Sequence, residues 1–86
     1  MGHDGRHFPN RIRKHRRMMG LTQKQVAQAL GLESAYRISR WEKGDALPSV
    51  INLLKLSALF GTLSEDLYRD LSSEFRHSLY SKELIK

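Results

Sequence analysis

Residues 22–44 constrain the fold more than any other part of the chain. Thr22 and Gln25 have the spacing of a capping box, in which the threonine hydroxyl accepts the amide of the third helical residue and the glutamine side chain reaches back. Apolar residues recur at helical spacing as far as Leu30. Gly31 follows, where a left-handed C-terminal cap needs a residue without a Cβ. The sequence therefore predicts a helix that begins after Thr22 and ends near Leu30.

A second helix is predicted to begin near Glu33 or Ser34. Projection of its residues at about 100° each gives two different sides. The apolar side carries Ser34, Ile38 and Trp41, with Glu42 at its edge. The opposite side is basic with one aromatic ring, and it carries Glu33, Tyr36, Arg37, Arg40 and Lys43. Because a helix in a small domain buries its apolar stripe, we expect the basic side to face outward, where it suits a polyanion.

Helical patterns also account for the rest of the chain, and no strand pattern is present. A first helix is expected over about residues 10–19, closed by Gly20. After a turn, Ser49 is placed to cap a third, long helix that ends at Phe60 and is central to the core. The chain is therefore expected to be all-helical.

The C-terminal part predicts two more helices. Thr62 and Glu65 have the spacing of a second capping box, and Ser64 could equally cap the short helix that follows. An amphipathic helix is predicted in the tail because apolar side chains recur four residues apart, as in Phe75 and Leu79. A helix added outside a finished core either folds back on it or meets a copy of itself.

Length and composition exclude several classes of protein. Eighty-six residues make one small domain, with no room for a second fold or for a multidomain enzyme. Cysteine is absent, which excludes disulfides, zinc fingers and thiol catalysis and fits a cytoplasmic protein. No apolar run approaches the ~20 residues that span a bilayer, so no membrane partner is expected. The four histidines have neither paired carboxylates nor a glycine-rich loop beside them, so we expect no enzyme, metal site or cofactor.

The positive charge is concentrated in one half of the chain. Residues 1–44 hold ten Lys or Arg against three acids, a net charge of +7, whereas residues 45–86 hold five against six, a net charge of −1. The basic half is the half that contains the two-helix corner. This coincidence is the electrostatic pattern expected of a nucleic-acid binder, and a merely solvated basic face does not predict it.

Several separate runs of the sequence resemble the helix-turn-helix of the phage Cro and repressor class, also called the XRE class of bacterial regulators. These runs are GLTQKQVAQALGL, ISRWEKG, LPS and LLKLSALFGTLSEDLY, and they match in order across roughly residues 9–70. Two features depart from the pattern. One extra residue lies between Gly31 and Ile38, which alters the turn or the start of the second helix, and His15 occupies a position that is usually apolar.

The resemblance implies a compact, all-α, five-helix lambda-repressor-like DNA-binding domain with an extra C-terminal helix. Its boundaries would be a disordered tail over residues 1–8, the helix-turn-helix domain over residues 9–71 and a helical extension over residues 72–86. It also implies an inward salt bridge between Arg16 and Glu42 beneath the corner. His15 is interpreted as a hydrogen-bonded, partly buried residue.

The resemblance also implies a set of DNA contacts. The recognition helix, about residues 34–43, would lie in the major groove of double-stranded DNA, and the helix before it would cross the backbone. The residues at the start of this helix and Arg40 would contact base edges. This base-reading set consists of Ser34, Ala35, Tyr36, Arg37 and Arg40. Phosphates would be bound by Gln23, Ser39 and Lys43. Arg37 could instead form a surface ion pair with Glu33.

These observations favour a sequence-specific transcriptional regulator, a repressor that binds DNA as a homodimer. The dimer contact is expected in the tail, or at Tyr68 and Leu71, because DNA half-sites are related by two-fold symmetry. An antitoxin that also binds a partner toxin through the apolar tail is the main alternative. A protein-interaction module that kept the fold and lost DNA binding is a third, which the retained Arg37, Arg40 and Lys43 argue against.

Overall fold

Six helices and no strand form the part of the chain that the computed structural model describes, residues 7–81. The helices are α1 (Ile12–Met18), α2 (Gln23–Leu30), α3 (Tyr36–Lys43), α4 (Val50–Phe60), α5 (Ser64–Leu67) and α6 (Arg69–Ser81). This is the all-α architecture of five helices and an extra C-terminal helix that the resemblance implied. Most of the expected disordered tail and the end of the C-terminal extension lie outside the described residues.

The ends of α2 follow the local sequence signals. The amide of Gln25 donates to Thr22 Oγ1 at 3.0 Å, and the amide of Thr22 donates to Gln25 Oε1 at 2.8 Å, so both halves of the capping box are present. Gly31 closes the helix with a φ of +80°, a conformation that strains residues with a Cβ. The prediction for α2 is therefore confirmed at both ends.

Ser49 caps α4 as expected, accepting the amide of Asn52 at 3.1 Å. Helix α5, in contrast, is capped neither by Thr62 nor by Ser64, the two residues that the sequence offered. Leu63 is the residue before α5, and no side chain caps that helix. The hydroxyl of Thr62 donates instead to Asp66 Oδ2 at 3.3 Å, and Ser64 is already inside the helix. The capping box of Thr62 and Glu65 is therefore not formed, and the Glu65 carboxylate accepts hydrogen bonds from Ser72 and Arg76 instead.

The core is closed by the first five helices. Its five largest fully buried side chains come one from each of α1 to α5, namely Ile12, Val26, Ile38, Leu56 and Leu67. Trp41 and Leu30 join the same cluster. The described part of α6 buries no residue completely, and Leu71 packs only partly against the core. Helix α6 is therefore an addition to a core that is complete without it.

Two residues near the domain boundaries are more deeply buried than the sequence suggested. Phe8, assigned to the disordered tail, belongs to the core, and its amide donates to the carbonyl of Gly44 at 3.0 Å. A Cβ on Gly44 would lie 2.8 Å from the Phe8 carbonyl oxygen, so glycine is required there. Tyr68, considered for the dimer contact, is also buried in the core and cannot serve that role.

A charged cluster around Asp66 joins α1 to the α5–α6 junction. Arg69 Nη2 donates to Asp66 Oδ1 at 2.5 Å, and His15 Nε2 lies 3.0 Å from Asp66 Oδ2. The His15 ring stacks on Phe60, with ring centroids 5.9 Å apart. Histidine is accommodated at this usually apolar position because one part of the ring packs and the other meets a carboxylate. The Arg69 hydrogen bond, and then that of His15, lower the pKa of Asp66 to about 2.

The lowered pKa of Asp66 predicts a specific loss of stability in acid. A carboxyl whose pKa falls on folding stabilises the native state above its unfolded pKa, and this contribution disappears as the pH falls towards the folded value. We expect Asp66→Asn to lower the melting temperature at neutral pH and to flatten the decline of stability between about pH 4 and pH 2. Thermal unfolding followed by circular dichroism across this range measures the effect.

Glu74→Gln is the matched control, because Glu74 is exposed on α6 and forms no ion pair within residues 7–81. An acid decline in Asp66→Asn as steep as that of the wild type would contradict the assignment of this pKa to the cluster.

Candidate nucleic-acid interface

Helix α3 turns its apolar side inward and its basic side outward. Ile38 is 0% exposed and Trp41 is 4% exposed, so both anchor the helix in the core. On the other side, Tyr36 is 67% exposed, and Arg37 and Lys43 are also exposed. The outer surface of α3 therefore offers an aromatic ring and cations to a partner, as its amphipathic pattern predicts.

The start of α3 lies later in the chain than the sequence suggested. The helix begins at Tyr36, and residues 31–35 form the turn that joins it to α2. Ser34 and Ala35 are thus outside the helix, which corrects the expectation of a start near Glu33 or Ser34. Ser34 Oγ accepts the amide of Tyr36 at 3.3 Å, and Ala35 offers no side-chain cap. Ile38 is fully buried with this later start of the helix.

The two central arginines of α3 differ in their surroundings. Arg40 is half-buried, and its Nη2 donates to the backbone carbonyl of Asp45 at 3.3 Å. That contact orients the guanidinium from the loop after α3. Arg37 is exposed, and among the described residues it forms no ion pair with Glu33, the alternative partner. Its charge is therefore available to a ligand.

Glu42 is the polar centre of the corner. Its side chain is 0% exposed, although the sequence projection placed it at the edge of the apolar face. Arg16 Nε donates to Glu42 Oε2 at 2.5 Å, and Arg16 Nη2 donates to Glu42 Oε1 at 3.1 Å. A bidentate pair of this kind fixes both position and orientation. The structure therefore brings together the two residues for which the resemblance implied a salt bridge, and ties α3 to α1.

Two further donors complete the Glu42 site. Gln23 Nε2 donates to Glu42 Oε1 at 3.0 Å, and Arg13 Nε donates to the same oxygen at 3.2 Å. Burial alone would raise the pKa of Glu42, but the hydrogen bonds from Arg16, Gln23 and Arg13 outweigh it and hold the pKa below its usual range. The carboxylate therefore stays charged at neutral pH, and the cluster, with two arginines, carries a net positive charge.

The position of Gln23 bears on its expected phosphate contact. It is the first residue of α2, so its own amide has no partner within that helix. A side-chain amide has two N–H donors, and Glu42 takes one of them. The backbone amide and the second side-chain donor are suited to an anion at the positive end of the α2 dipole.

Three supporting contacts were not anticipated from the sequence. Arg13 lies three residues before Arg16 on α1, and this spacing was the signal that it could reach the same carboxylate. Asn10 Nδ2 donates to the carbonyl of Trp41 at 2.8 Å, near the end of α3. Lys55 Nζ donates to the carbonyl of Leu30 at the end of α2, 3.2 Å away. The last two contacts join distant parts of the chain, and no local pattern signals them.

The burial of the Glu42 cluster predicts unequal roles for its two arginines. The Arg16 side chain is 12% exposed and the Arg13 side chain is 48% exposed. Loss of one partner from a buried pair leaves an uncompensated charge, so Arg16→Ala is expected to lower the free energy of unfolding by ~3–5 kcal/mol. Arg13→Ala is expected to cost less than ~1 kcal/mol, the range of exposed ion pairs. Urea unfolding of the two variants tests this, and equal losses would refute it.

Neither a membrane helix nor a metal cluster is found in the described residues. Across residues 7–81 no helix is long and apolar enough to cross a bilayer. Within the same range, no group of His, Asp and Glu side chains could hold a metal ion.

Comparison with known proteins identifies the two-helix corner. The family model described as helix-turn-helix matches residues 12–67, from the start of α1 to the end of α5. Among solved structures, the chain is similar to the restriction-modification controller protein C.AhdI from Aeromonas hydrophila, with 29% sequence identity and a TM-score of 0.60. The match covers 67% of this chain and 86% of that protein. A search of curated proteins gave no significant match.

The matched region contains both helices of the corner, the core that supports them and the Glu42 cluster. In this arrangement α2 and α3 are the two helices of the helix-turn-helix. The chain therefore belongs to the helix-turn-helix family of Cro and phage-repressor type, a family of DNA-binding transcriptional regulators.

Proposed function

We propose that this protein is a sequence-specific repressor that binds duplex DNA as a homodimer with α3 in the major groove. The observation that carries the proposal is the direction of α3, whose Ile38 and Trp41 are buried while Tyr36 and Arg37 face solvent. A helix held in this way can enter a groove about 12 Å wide without disturbing the core. The exposed cations of this helix, Arg37 and Lys43, support the same face.

The proposed contacts divide into base reading and phosphate binding. Arg40 is assigned to a guanine, because its planar fork matches the O6 and N7 acceptors. Tyr36 and Arg37 lie beside it on the outer face, and Ser34 and Ala35 precede them in the turn, where they can reach the rim of the groove. The phosphate contacts are assigned to Gln23, Ser39 and Lys43, which would set the register of the helix without reading sequence.

Repression would require only that the protein occupy the promoter DNA, without a catalysed reaction. A dimer on an operator that overlaps a promoter would exclude polymerase by occupying the same DNA, and this needs neither catalysis nor a cofactor. The solved relative is a restriction-modification controller. A comparable role in the control of one set of genes, in the cytoplasm, is part of the proposal for this chain.

The homodimer is proposed to form through the outer face of α6. Phe75, Leu79 and Tyr80 are large apolar side chains that remain about half exposed on this helix. They lie along a helix of about 20 Å in which no described residue is fully buried. Two copies related by a two-fold axis would cover these side chains and present two α3 helices to successive major grooves. In the antitoxin alternative, a toxin would cover the same face.

DNA binding by variants of α3 tests the proposed division of contacts. Sites selected from a random pool by the wild type provide the cognate duplex. Arg40→Ala is expected to cost ~1–3 kcal/mol on this duplex and to flatten the base preference at one position. Lys43→Ala is expected to weaken binding to cognate and random duplexes alike and to reduce the salt slope by about 1. Equal losses of Arg40→Ala on both duplexes would remove Arg40 from the base-reading set.

Association of the chain tests the role of α6. We expect the double variant Phe75→Ser/Leu79→Ser to sediment with the mass of a monomer at concentrations where the wild type is a dimer, because the apolar contact would be lost. Ile51→Ser is the matched control, since Ile51 is an exposed apolar residue on α4. A wild-type chain that is monomeric alone but captured by a genetically linked protein would favour the antitoxin alternative.

A further inference from the structure

A cleft beside the recognition helix combines cations with an exposed aliphatic side chain. It has a volume of about 320 Å³ and lies between α3 and the loop that leads to α4. Its walls include Tyr36, Arg37, Arg40, Leu47, Ser49 and Asn52. Leu47 is 49% exposed, whereas its neighbour Ala46 packs against the core. The leucine is therefore left partly in water beside two arginines, Arg37 and Arg40.

We infer that Leu47, together with the ring of Tyr36, recognises the 5-methyl group of a thymine next to the base pair contacted by Arg40. The inference rests on the proposed function, because it assigns a specificity to the same interface. The major groove presents donors, acceptors and a single type of apolar group, the thymine methyl. An aliphatic side chain directed into that groove has no other partner of its own chemistry.

The loop that carries Leu47 also positions Arg40. Arg40 Nη2 donates to the carbonyl of Asp45, two residues before Leu47, at 3.3 Å. Gly44 begins this loop in a left-handed conformation and is packed against the Phe8 carbonyl, which limits its movement. Arg40 and Leu47 therefore line one cleft, from the helix and from the loop, so a guanine bound by Arg40 would place a neighbouring base close to Leu47.

The charges around the cleft favour DNA as its occupant. Arg37 and Arg40 would hold a polyanion against the opening, whereas an apolar peptide would have to desolvate both cations. Contact with a methyl group removes apolar surface of Leu47 and Tyr36 from water at little cost to the arginines. The cleft is therefore suited to recognise a base by its shape and by apolar contact, next to the hydrogen bonds that Arg40 would donate to a guanine.

Base analogues in the selected operator test the inference with the full-length protein. Thymines are replaced one at a time by deoxyuridine, which lacks only the methyl group, and by 5-bromodeoxyuridine, whose bromine has a similar size. We expect one thymine in each half-site whose replacement by deoxyuridine weakens binding about three- to tenfold, with affinity restored by the bromo analogue. Leu47→Ala should lose this discrimination and Leu47→Met should keep it.

Leu54→Ala is the matched control, because Leu54 is similarly exposed on α4 but does not line the cleft; it should discriminate as the wild type does. Wild-type binding that is indifferent to deoxyuridine at every position would overturn the inference, as would full discrimination in Leu47→Ala. Either result would leave sequence-specific binding, and hence the proposed function, intact. Failure of the wild type to bind any duplex would refute the proposed function itself.

Discussion

The hydrogen bonds to the buried carboxylate of Glu42 hold the first three helices in their relative positions. It lies on α3, and its donors come from α1 and from the first residue of α2. Because these elements all meet at one charged group, directional hydrogen bonds add to apolar packing in holding the two helices of the motif in their relative orientation. The depressed pKa of Glu42 keeps this arrangement charged at neutral pH.

The direction of α3 links this cluster to function. Ile38 and Trp41 hold one side of the helix in the core, and the Glu42 cluster fixes its rotation from below. The residues on the outer side of α3 are polar, cationic or aromatic. The hydrogen bond from the Phe8 amide to the Gly44 carbonyl then joins the end of this helix to the segment that precedes α1. Helix α3 is thus held along one side and at its end, so the proposed association with DNA would need little further ordering of this helix.

Much of the fold and of the site could be predicted from the sequence because its signals are local. The capping box of Thr22, the left-handed glycine after α2 and the apolar stripe of α3 each depend on residues within one or two turns. The errors have a different origin. The predicted capping box of Thr62 and Glu65 does not form, and Glu65 instead bonds Ser72 and Arg76 on α6, whereas Phe8 was placed in a tail because its partner, Gly44, is distant in sequence. The start of α3 was misplaced because one inserted residue can lengthen either a turn or a helix, and only tertiary packing decides which.

The central claim is that the outer face of α3 lies in the major groove, and methylation interference on the selected operator tests it most directly. Methylation of guanine N7 blocks the major groove, whereas methylation of adenine N3 blocks the minor groove. We expect N7 methylation of a guanine in each half-site to prevent binding and N3 methylation within the recognised base pairs to be tolerated. Interference from N3 methylation alone, or the absence of any complex with duplex DNA at low ionic strength, would contradict it.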